Sequence, residues 1–346
     1  SRNFKKKHMK KVVQFSKSYG NIIQIKKDFY NANKKNLKEI IRINNFYKKQ
    51  PLRKNCKNCG SKKIKSFIKS FNIPYKLCSV CGHLNGAFQD TDNFNKKLYN
   101  ENSGKNYSRN YLKDYNLRVK NIYIPKVEFL KKVIKKKINL LDLGCGGGHF
   151  VKALELKKIS AIGFDTSEDL CKIGNKKLIK NKIYSMGIND IYKIIDKKFN
   201  VNTLSMIGSL EHLSEPNRIL NSFKKSKIQY FYISVPLFSL STFIENSFPK
   251  VFPRHLAGGH THLYTEKSLN FLAKKYNLKI IGEYWFGSDF PDLARSIMNS
   301  GNILNKKVYS KHLKESFLEF TDELQSILDK NKMSSEVHMV FENKNI

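Results

Sequence analysis

The sequence predicts an α/β protein built on a doubly wound, mostly parallel sheet. Three observations carry this prediction. An apolar strand at 138–143 ends in a glycine-rich turn, a helical pattern begins at Phe150, and further apolar runs alternate with helical segments as far as residue 285. In such folds, ligands lie beyond the carboxyl ends of the strands. The length of 346 residues suggests about two domains, and a hydrophobic content of 40% is ample for a packed core.

The glycine turn reads Asp142-x-Gly144-x-Gly146-x-Gly148. Glycines permit positive φ and leave no Cβ between loop and ligand, and the helix behind them offers unpaired N–H groups. A dinucleotide fingerprint would need glycine at position 149, which is His149. The second strand, 159–164, ends at Asp165, an acid about 20 positions after the loop and so placed to accept ribose hydroxyls. The alternative is a loop that only packs a helix and an aspartate that caps one.

This pattern resembles motif I of the class I S-adenosylmethionine (SAM)-dependent methyltransferases. The resemblance implies a Rossmann-like, mostly parallel seven-stranded sheet that closes with an antiparallel strand, and SAM as the cofactor. It covers 138–285, with 336–341 as the last strand and 287–333 as a helical insertion. The cofactor contacts that it implies are Asp142, Gly144, Cys145, Gly146, Gly148, Asp165, Thr166, Ile188, Asn189, Met206 and Ile207.

The fourth strand, 199–206, runs into Glu211-His212, which resembles an "EH-hydrophobic-x-x-P" signature of methyltransferases that act on small molecules. Imidazole titrates near neutrality, so His212 is a candidate base for a hydroxyl proton. The alternative is a histidine that bonds Glu211 within the fold. Some family members bind a divalent metal through a further carboxylate one helical turn earlier; that position is Ile207, which argues against such a site.

A segment with three histidines, 237–264, follows the fifth strand at 229–235 and contains Gly258-Gly259 as a possible hinge. If it is extended, His260 and His262 share one face and can act as a base, hold a phosphate or bind a metal. The alternative is loop packing, which also applies to His255. The helix that follows begins with Thr-x-x-Ser rather than a full capping box.

Two C-x-x-C knuckles occur near the N-terminus: Cys56, Cys59, Cys78 and Cys81. Their spacing fits a four-cysteine structural zinc site, and each knuckle is followed by glycine. A hairpin at 64–73 is expected between them, as in a zinc ribbon. Since cysteine fills all four ligand positions, the zinc should be structural rather than catalytic.

The formal net charge is +37, and lysine supplies most of it. Such a charge indicates either a surface for nucleic acid or another polyanion, or only the codon bias of an AT-rich genome. No apolar run reaches the roughly 18 residues of a membrane span, so a cytoplasmic protein is expected.

Four regions are predicted along the chain: a basic helical arm at 1–50 with amphipathic helices from residue 12 to residue 47, a zinc-ribbon-like module at 51–90, a tyrosine-rich cover at 91–137, and the methyltransferase domain at 138–346. Family members fold the part before motif I over the substrate pocket, which implies a substrate role for Tyr107 or Tyr111. The oligomeric state is left open.

The expected activity is methyl transfer to a hydroxyl of a small anionic or nucleotide-linked sugar or metabolite. This follows from a resemblance to bacterial sugar and surface-glycan methyltransferases. One alternative is an RNA methyltransferase that grips phosphates with the zinc ribbon and its lysines. Another is a non-catalytic module that binds a protein partner.

Overall fold

The structure is a computed structural model that describes residues 10–20, 25, 32–100, 114–195, 197, 199–256, 259–300 and 307–346. The strands are β1 (Val12–Phe15), β2 (Ile64–Ser70), β3 (Ile73–Cys78), β4 (Leu84–Gly86), β5 (Asn139–Leu143), β6 (Ser160–Asp165), β7 (Lys182–Ser185), β8 (Thr203–Ile207), β9 (Tyr230–Pro236), β10 (His262–Leu263), β11 (Leu278–Phe286) and β12 (Glu336–Asn343). No helix within these residues is long and apolar enough to cross a bilayer.

The helices are α1 (Asn33–Tyr47), α2 (Asp92–Asn100), α3 (Tyr115–Arg118), α4 (Ile124–Val133), α5 (His149–Leu156), α6 (Glu168–Asn175), α7 (Ile188–Ile194), α8 (Pro216–Lys225), α9 (Leu240–Ser247), α10 (Glu266–Lys275), α11 (Asp289–Ser300) and α12 (Lys307–Lys330). A π-helical turn, Val119–Tyr123, joins α3 to α4, and a 3₁₀ turn, Leu210–His212, follows β8.

The large sheet has the strand order β1-β11-β12-β9-β8-β5-β6-β7 in the part of the chain that the structure describes. β12 runs antiparallel to β11 and β9, and the other pairs are parallel. The α/β prediction is confirmed, but the strand count is corrected. An eighth strand, β1, adds to the edge at β11, where the sequence analysis expected helix. Val12 and Val13 are β-branched and favour extended backbone. The prediction of a helix from residue 12 gave this preference too little weight.

The hydrophobic core lies on both faces of this sheet. Leu140 and Leu141 are both fully buried, but they contribute to different apolar clusters because successive side chains of a strand point to opposite faces. Burial of each such side chain stabilises the fold by about 1.5–3 kcal/mol. The strand β5 is therefore fixed on both sides, and the turn that follows it starts from a rigid base.

A second sheet, in the order β10-β4-β3-β2, carries the cysteine knuckles. The expected hairpin is present as β2 and β3, which turn at Phe71 and Asn72, both with positive φ. Its fourth strand, β10, comes from the segment after β9, and His262 lies opposite Asn85. The small sheet therefore takes a strand from the C-terminal half of the chain.

The segment between β9 and β10 contains a helix, α9, where only a loop was predicted. A buried ion-pair network fixes this segment, since the Arg254 guanidinium lies 3.0 Å from both carboxylate oxygens of Asp292 in α11. The helix α10 begins with a complete capping box formed by Thr265 and Ser268, so the expectation of an incomplete one was wrong. A serine at the N3 position closes the box because its hydroxyl reaches the N-cap backbone N–H.

Candidate active site

The chain order places a crevice at the carboxyl ends of β5 and β8. From β5 the chain winds outward through β6 and β7, then returns to the other side of β5 to form β8 and β9. Such a switch point is where ligands bind in open α/β sheets. The glycine loop follows β5, and the Glu211-His212 turn follows β8, so both lie at this crevice.

The glycine loop adopts a backbone that other residues would strain. Gly144, Gly146 and Gly148 have φ of 73°, 53° and 72°. A β-carbon at Gly144 would lie 2.5 Å from the Cβ of Ser209, whereas one at Gly146 would meet nothing within 4 Å. The loop is therefore packed against the β8 side at Gly144 and open at Gly146, which leaves a cradle for a ligand.

Asp165, the last residue of β6, is hydrogen-bonded to the glycine loop. Its carboxylate accepts a 2.7 Å hydrogen bond from the Gly146 N–H and a 2.9 Å bond from the Ser167 N–H. The cap of α6 is Ser167 itself, whose hydroxyl accepts from the Leu170 N–H at 3.3 Å. Burial raises the pKa of Asp165, and the hydrogen bonds from backbone N–H groups oppose that rise. Each carboxylate oxygen has lone pairs left for a ribose hydroxyl.

Asp142 lies beneath the loop rather than on its open side. It is 2% exposed and accepts a 2.6 Å hydrogen bond from the Ser205 hydroxyl of β8. Burial raises the pKa of Asp142 to about 7. This aspartate thus ties β5 to β8 below the crevice.

The other positions that the resemblance assigned to the cofactor differ in accessibility. Cys145, Ile188 and Ile207 are half-buried, Thr166 and Asn189 are exposed, and Met206 is a core residue with 1% exposure. Met206 packs in the apolar cluster, so the structure does not bring its side chain to the crevice. The alternation of β8 explains this, because its neighbour Ile207 points the other way.

His149 packs against two tyrosines, a contact that the sequence analysis did not predict. His149, the first residue of α5, is 2% exposed, and its ring centroid lies 4.1 Å from that of Tyr115 and 5.4 Å from that of Tyr123. The sequence signal that could have indicated this contact is the position of His149 directly after Gly148. Tyr107 and Tyr111, which were expected to contact substrate, lie outside the described residues.

His212 and His260 come together beside Glu211, and we call these three residues the Glu-His cluster. The two imidazole rings stack at 5.3 Å with an interplanar angle of 15°. His212 Nε2 lies 3.8 Å from Glu211 Oε1. Burial lowers the pKa of His212 to about 4 and that of His260 to about 3, so both rings are neutral at pH 7.

Backbone carbonyls orient both rings of the cluster. His212 Nδ1 lies 3.0 Å from the Gly259 carbonyl oxygen, and His260 Nδ1 lies 3.1 Å from that of His255. Since a carbonyl oxygen only accepts, each Nδ1 carries the proton and each Nε2 is the basic nitrogen. The sequence predicted two of the cluster's members as candidates, but not that they would meet.

Glu211 has an environment that disfavours its charge. It is 3% exposed, and its Oε2 has no hydrogen-bond partner among the described residues. Burial is the main cause that raises its pKa to about 8. An unpartnered buried carboxyl oxygen costs free energy unless a ligand or ion satisfies it.

His262 does not share an accessible face with His260. It is fully buried; its Nε2 lies 2.9 Å from the Glu211 carbonyl oxygen, and its Nδ1 lies 2.9 Å from His83 Nε2. His262 thus connects the Glu211 turn to the cysteine-bearing sheet. Its two ring nitrogens are already occupied, which separates it from the Glu-His cluster.

The four cysteines lie together, with all sulfur atoms within 4.8 Å of one another. Cys56 Sγ is 3.7 Å from Cys81 Sγ, and Cys59 Sγ is 3.6 Å from Cys78 Sγ. A tetrahedral zinc with Zn–S bonds of about 2.3 Å has S···S edges of about 3.8 Å, so the observed spacing fits zinc.

Matching turns orient the two cysteine knuckles. The Gly60 N–H donates to the Cys56 carbonyl at 2.9 Å, and the Gly82 N–H donates to the Cys78 carbonyl at 2.8 Å. Both glycines have positive φ, the backbone conformation that a tight turn needs here. Each pair of thiols is therefore held by its own local backbone.

A group of buried and half-buried charged residues lies where β11 ends and β12 begins. Lys126 Nζ lies 4.0 Å from Glu336 Oε1, and His338 Nε2 lies 3.1 Å from the same oxygen. Lys17 Nζ lies 3.5 Å from the centroid of the Phe286 ring. Burial lowers the pKa of Lys126 and that of Lys17, the latter to about 8. No sequence pattern indicated this group, because its members are far apart in the chain.

Comparison with known proteins shows what the central region is similar to. Residues 115–283, nearly half of the chain, match a family model described as a methyltransferase domain. An uncharacterized protein of Methanocaldococcus jannaschii is 32% identical over 126 residues, which cover 34% of this chain and 47% of the relative. The chain thus spans about half the length of that curated relative.

Solved structures are similar at low identity. They include the magnesium protoporphyrin IX methyltransferase of Synechocystis PCC 6803, with 12% identity, a TM-score of 0.43 and coverage of 55% of this chain and 90% of that one. A SAM-dependent methyltransferase of Archaeoglobus fulgidus has 19% identity, a TM-score of 0.41 and coverage of 63% and 92%. Both TM-scores lie below 0.5, so these structures carry no argument about function. Residues 115–283 are similar to a methyltransferase domain by the family match, and the glycine loop and the switch point of the sheet lie within them.

Proposed function

We propose that the protein transfers a methyl group from SAM to a hydroxyl of a small anionic or nucleotide-linked sugar or metabolite. The observation that carries this proposal is the position of the Glu-His cluster beside the cofactor loop. Ser209, two residues before Glu211, donates a 2.9 Å hydrogen bond to the Leu143 carbonyl and packs against Gly144. A group that accepts a proton is thereby fixed next to the loop assigned to SAM.

The residues of the loop fit the proposed cofactor. The open space at Gly146 admits a ligand against bare backbone, and Asp165 beside it has lone pairs for ribose hydroxyls. Half-buried Ile188 offers an apolar contact for the adenine ring, as the family resemblance suggests. SAM, when bound, would supply a methyl group carried on a sulfonium, and the glycine loop, Asp165 and Ile188 would hold it.

The chain's own contribution is to hold the acceptor and remove its proton. The neutral rings of His212 and His260 present Nε2 as the basic nitrogen, since Nδ1 is committed to a backbone carbonyl. A positioned base contributes about 10²–10⁴-fold to the rate of such a step. His262, which bonds the Glu211 carbonyl, serves in this proposal as a positioning residue.

Two features support a small anionic acceptor. The ammonium groups of Lys17 and Lys126 lie at the carboxyl edge of the sheet, where they can attract an anionic group. Two arginines suited to gripping a nucleic-acid backbone are instead committed to the fold, because Arg53 pairs with Asp90 and Arg254 pairs with Asp292.

We also propose that Cys56, Cys59, Cys78 and Cys81 bind a structural zinc ion. The sulfur spacing and the two matching turns support it. Asn85 adds further support, since its side-chain amide lies 3.6 Å from Cys56 Sγ and donates to the carbonyl of His83 at 3.0 Å. Such contacts orient the ligands of a metal.

The test is calorimetric titration of SAM into the wild type, Asp165→Ala and Asp169→Ala, at low and at high salt. Asp169 is a matched control, since it is an exposed acid on α6. We expect saturable binding of SAM in the wild type and the control. In Asp165→Ala the affinity should be about 10–100-fold weaker, because a charged hydrogen bond to the cofactor is lost. Nucleotide-sugars and anionic metabolites are then screened as acceptors.

Two outcomes would contradict the proposal. If the folded wild type does not bind SAM, the result favours the alternative of a non-catalytic module that binds a protein partner. If methyl transfer occurs only on RNA and binding of that RNA falls steeply with salt, the acceptor is a nucleic acid.

A further inference from the structure

We propose that a cavity between α1, the turn of the β2–β3 hairpin and the end of α9 binds a small anionic sugar. We call it the hairpin cavity. It is lined by residues other than those of the glycine loop and the cysteine cluster, and its volume of about 420 Å³ is within the usual range for a small-molecule site. Its polar wall consists of Asn44, Asn45, Lys48, Lys69, Asn72 and Asn246.

The turn of the hairpin carries a bulky side chain on an unfavourable backbone. Phe71 and Asn72 form the two-residue turn between Ser70 and Ile73, and their φ values are 44° and 64°. Turns of this kind favour asparagine or glycine, and phenylalanine with positive φ is uncommon. Phe71 lines the cavity. Strain that is kept beside a cavity points to a use for the side chain there, and a phenyl ring offers an apolar surface for the C–H face of a sugar.

Amide side chains supply the hydrogen-bonding groups that sugar hydroxyls need. Asn44 is buried and donates a 3.3 Å hydrogen bond to the Phe71 carbonyl, which fixes it against the turn. Asn246, on α9, donates to the Thr242 carbonyl at 2.9 Å. Each of these bonds uses one N–H of the amide, so the oxygen and the second N–H remain for the hydroxyls of a ligand.

Two lysines give the cavity a positive charge. Lys48 is half-buried after α1 and Lys69 is exposed on β2, and neither forms an ion pair with another residue that the structure describes. Glu245, the acid that lines the cavity, is buried and accepts from the His255 N–H at 2.7 Å and the Leu256 N–H at 3.2 Å. Because the fold already satisfies this carboxylate, the two ammonium groups favour a ligand with a carboxylate or phosphate.

The combination of groups selects an anionic sugar over other small ligands. An apolar ligand would cover the polar wall without pairing its donors and acceptors, which is unfavourable. An inorganic anion could bind the lysines but would leave the asparagines and Phe71 without a role. A uronic acid or a sugar phosphate uses the amides, the ring and the ammonium groups together.

One segment of chain joins the hairpin cavity to the Glu-His cluster. Glu245 accepts from the His255 N–H, and the His255 carbonyl oxygen lies 3.1 Å from His260 Nδ1. A ligand in the cavity therefore lies against the residue that holds the segment before His260. An effect of the ligand on methyl transfer would rest on the proposed function, whereas binding of the sugar does not.

The experiment titrates glucuronate and glucose 6-phosphate into the full-length protein by calorimetry. Glucose and inorganic phosphate are the comparison ligands, since each lacks one half of the chemistry. The variants are Lys69→Ala and Phe71→Asn, and the matched control is Lys65→Ala, an exposed lysine on the same strand that does not line the cavity. Asparagine tolerates positive φ, so Phe71→Asn removes the ring and keeps the turn. Thermal unfolding checks the fold of each variant.

We expect the wild type and Lys65→Ala to bind an anionic sugar saturably, and glucose and inorganic phosphate at least about 10-fold more weakly. Lys69→Ala should weaken binding about 10–100-fold, because a charged hydrogen bond is lost. Phe71→Asn should weaken it about 3–10-fold while its Tm stays equal or rises, because the ring contact is lost and the strain is relieved.

Three results would overturn the inference: no binding of either anionic sugar, equal affinity in Lys69→Ala and Lys65→Ala, or inorganic phosphate binding as tightly as glucose 6-phosphate. The same titrations in Asp165→Ala, together with SAM titration, test the proposed function separately. Sugar binding that persists in Asp165→Ala supports a site independent of the cofactor loop.

Discussion

The cysteine cluster and the Glu-His cluster are assembled in opposite ways. Each cysteine pair comes from one tight turn, so two short stretches of sequence determine the whole site. The Glu-His cluster joins a turn after β8 to the segment before β10, and long-range packing holds those parts together. The first should resist changes elsewhere in the chain, whereas the second should respond to them.

Removing the cysteine ligands should have the largest effect. We expect Cys56→Ser with Cys59→Ser to abolish zinc binding and to destabilise the small sheet, since structural zinc contributes on the order of 10 kcal/mol to folding. Zinc content and thermal unfolding measure this. Cys171→Ala, at a buried thiol outside the cluster, should keep the zinc; if the double variant also keeps it, the site is misassigned.

Two glycines of the cofactor loop should separate folding from binding. In Gly144→Ala, the new Cβ meets Ser209 at 2.5 Å, and overpacking should cost about 1–3 kcal/mol of stability. In Gly146→Ala, the new Cβ meets no atom, so stability should change less while SAM affinity falls. Chemical denaturation and SAM titration give both quantities. Equal loss of stability in both variants would contradict the assigned cradle.

His262 and His260 should also differ in what their removal changes. We expect His262→Ala to lower stability by about 1–3 kcal/mol, since it leaves His83 and the Glu211 carbonyl without their partner. His260→Ala, at a half-buried ring, should cost less stability but lower kcat for methyl transfer. The opposite ranking in denaturation and activity would show that His260 is the structural residue.

At neutral pH His338 supplies the smallest effect, and it is a reference outside both clusters. Burial lowers its pKa to about 3, so the folded protein keeps it neutral while the unfolded chain protonates it near pH 6.5. Its contribution is present above that pH and is lost as the pH falls toward 3, with a slope of at most about 1.4 kcal/mol per pH unit. His338→Gln should flatten the stability curve in this window. An unchanged curve from urea melts would mean that another group dominates.

The features that could be predicted from the sequence were those determined by residues close together in the chain. The strand before Gly144, the acid at Asp165 and the hairpin between the knuckles follow from local pattern. The antiparallel last strand was predicted from the family resemblance. Turn geometry and alternation are short-range properties, so a single stretch suffices to predict them.

The features that were missed depend on contacts between distant segments. The strand β1 forms because the edge of β11 is available to it, and the pairing of His212 with His260 requires the fold of the segment after β9. The closeness of His149 to Tyr115 is of the same kind. Tertiary contacts override local preference in such places.

The strand β10 has a consequence for exchanging parts of this protein. Because His262 and Leu263 complete the sheet of the cysteine module, residues 51–90 transplanted into another protein would lack one strand and expose the edge of β4. An enzyme engineer could not swap this module as an independent cassette. Changes to it would have to be inherited together with the segment after β9, so the two halves are constrained to evolve as a pair.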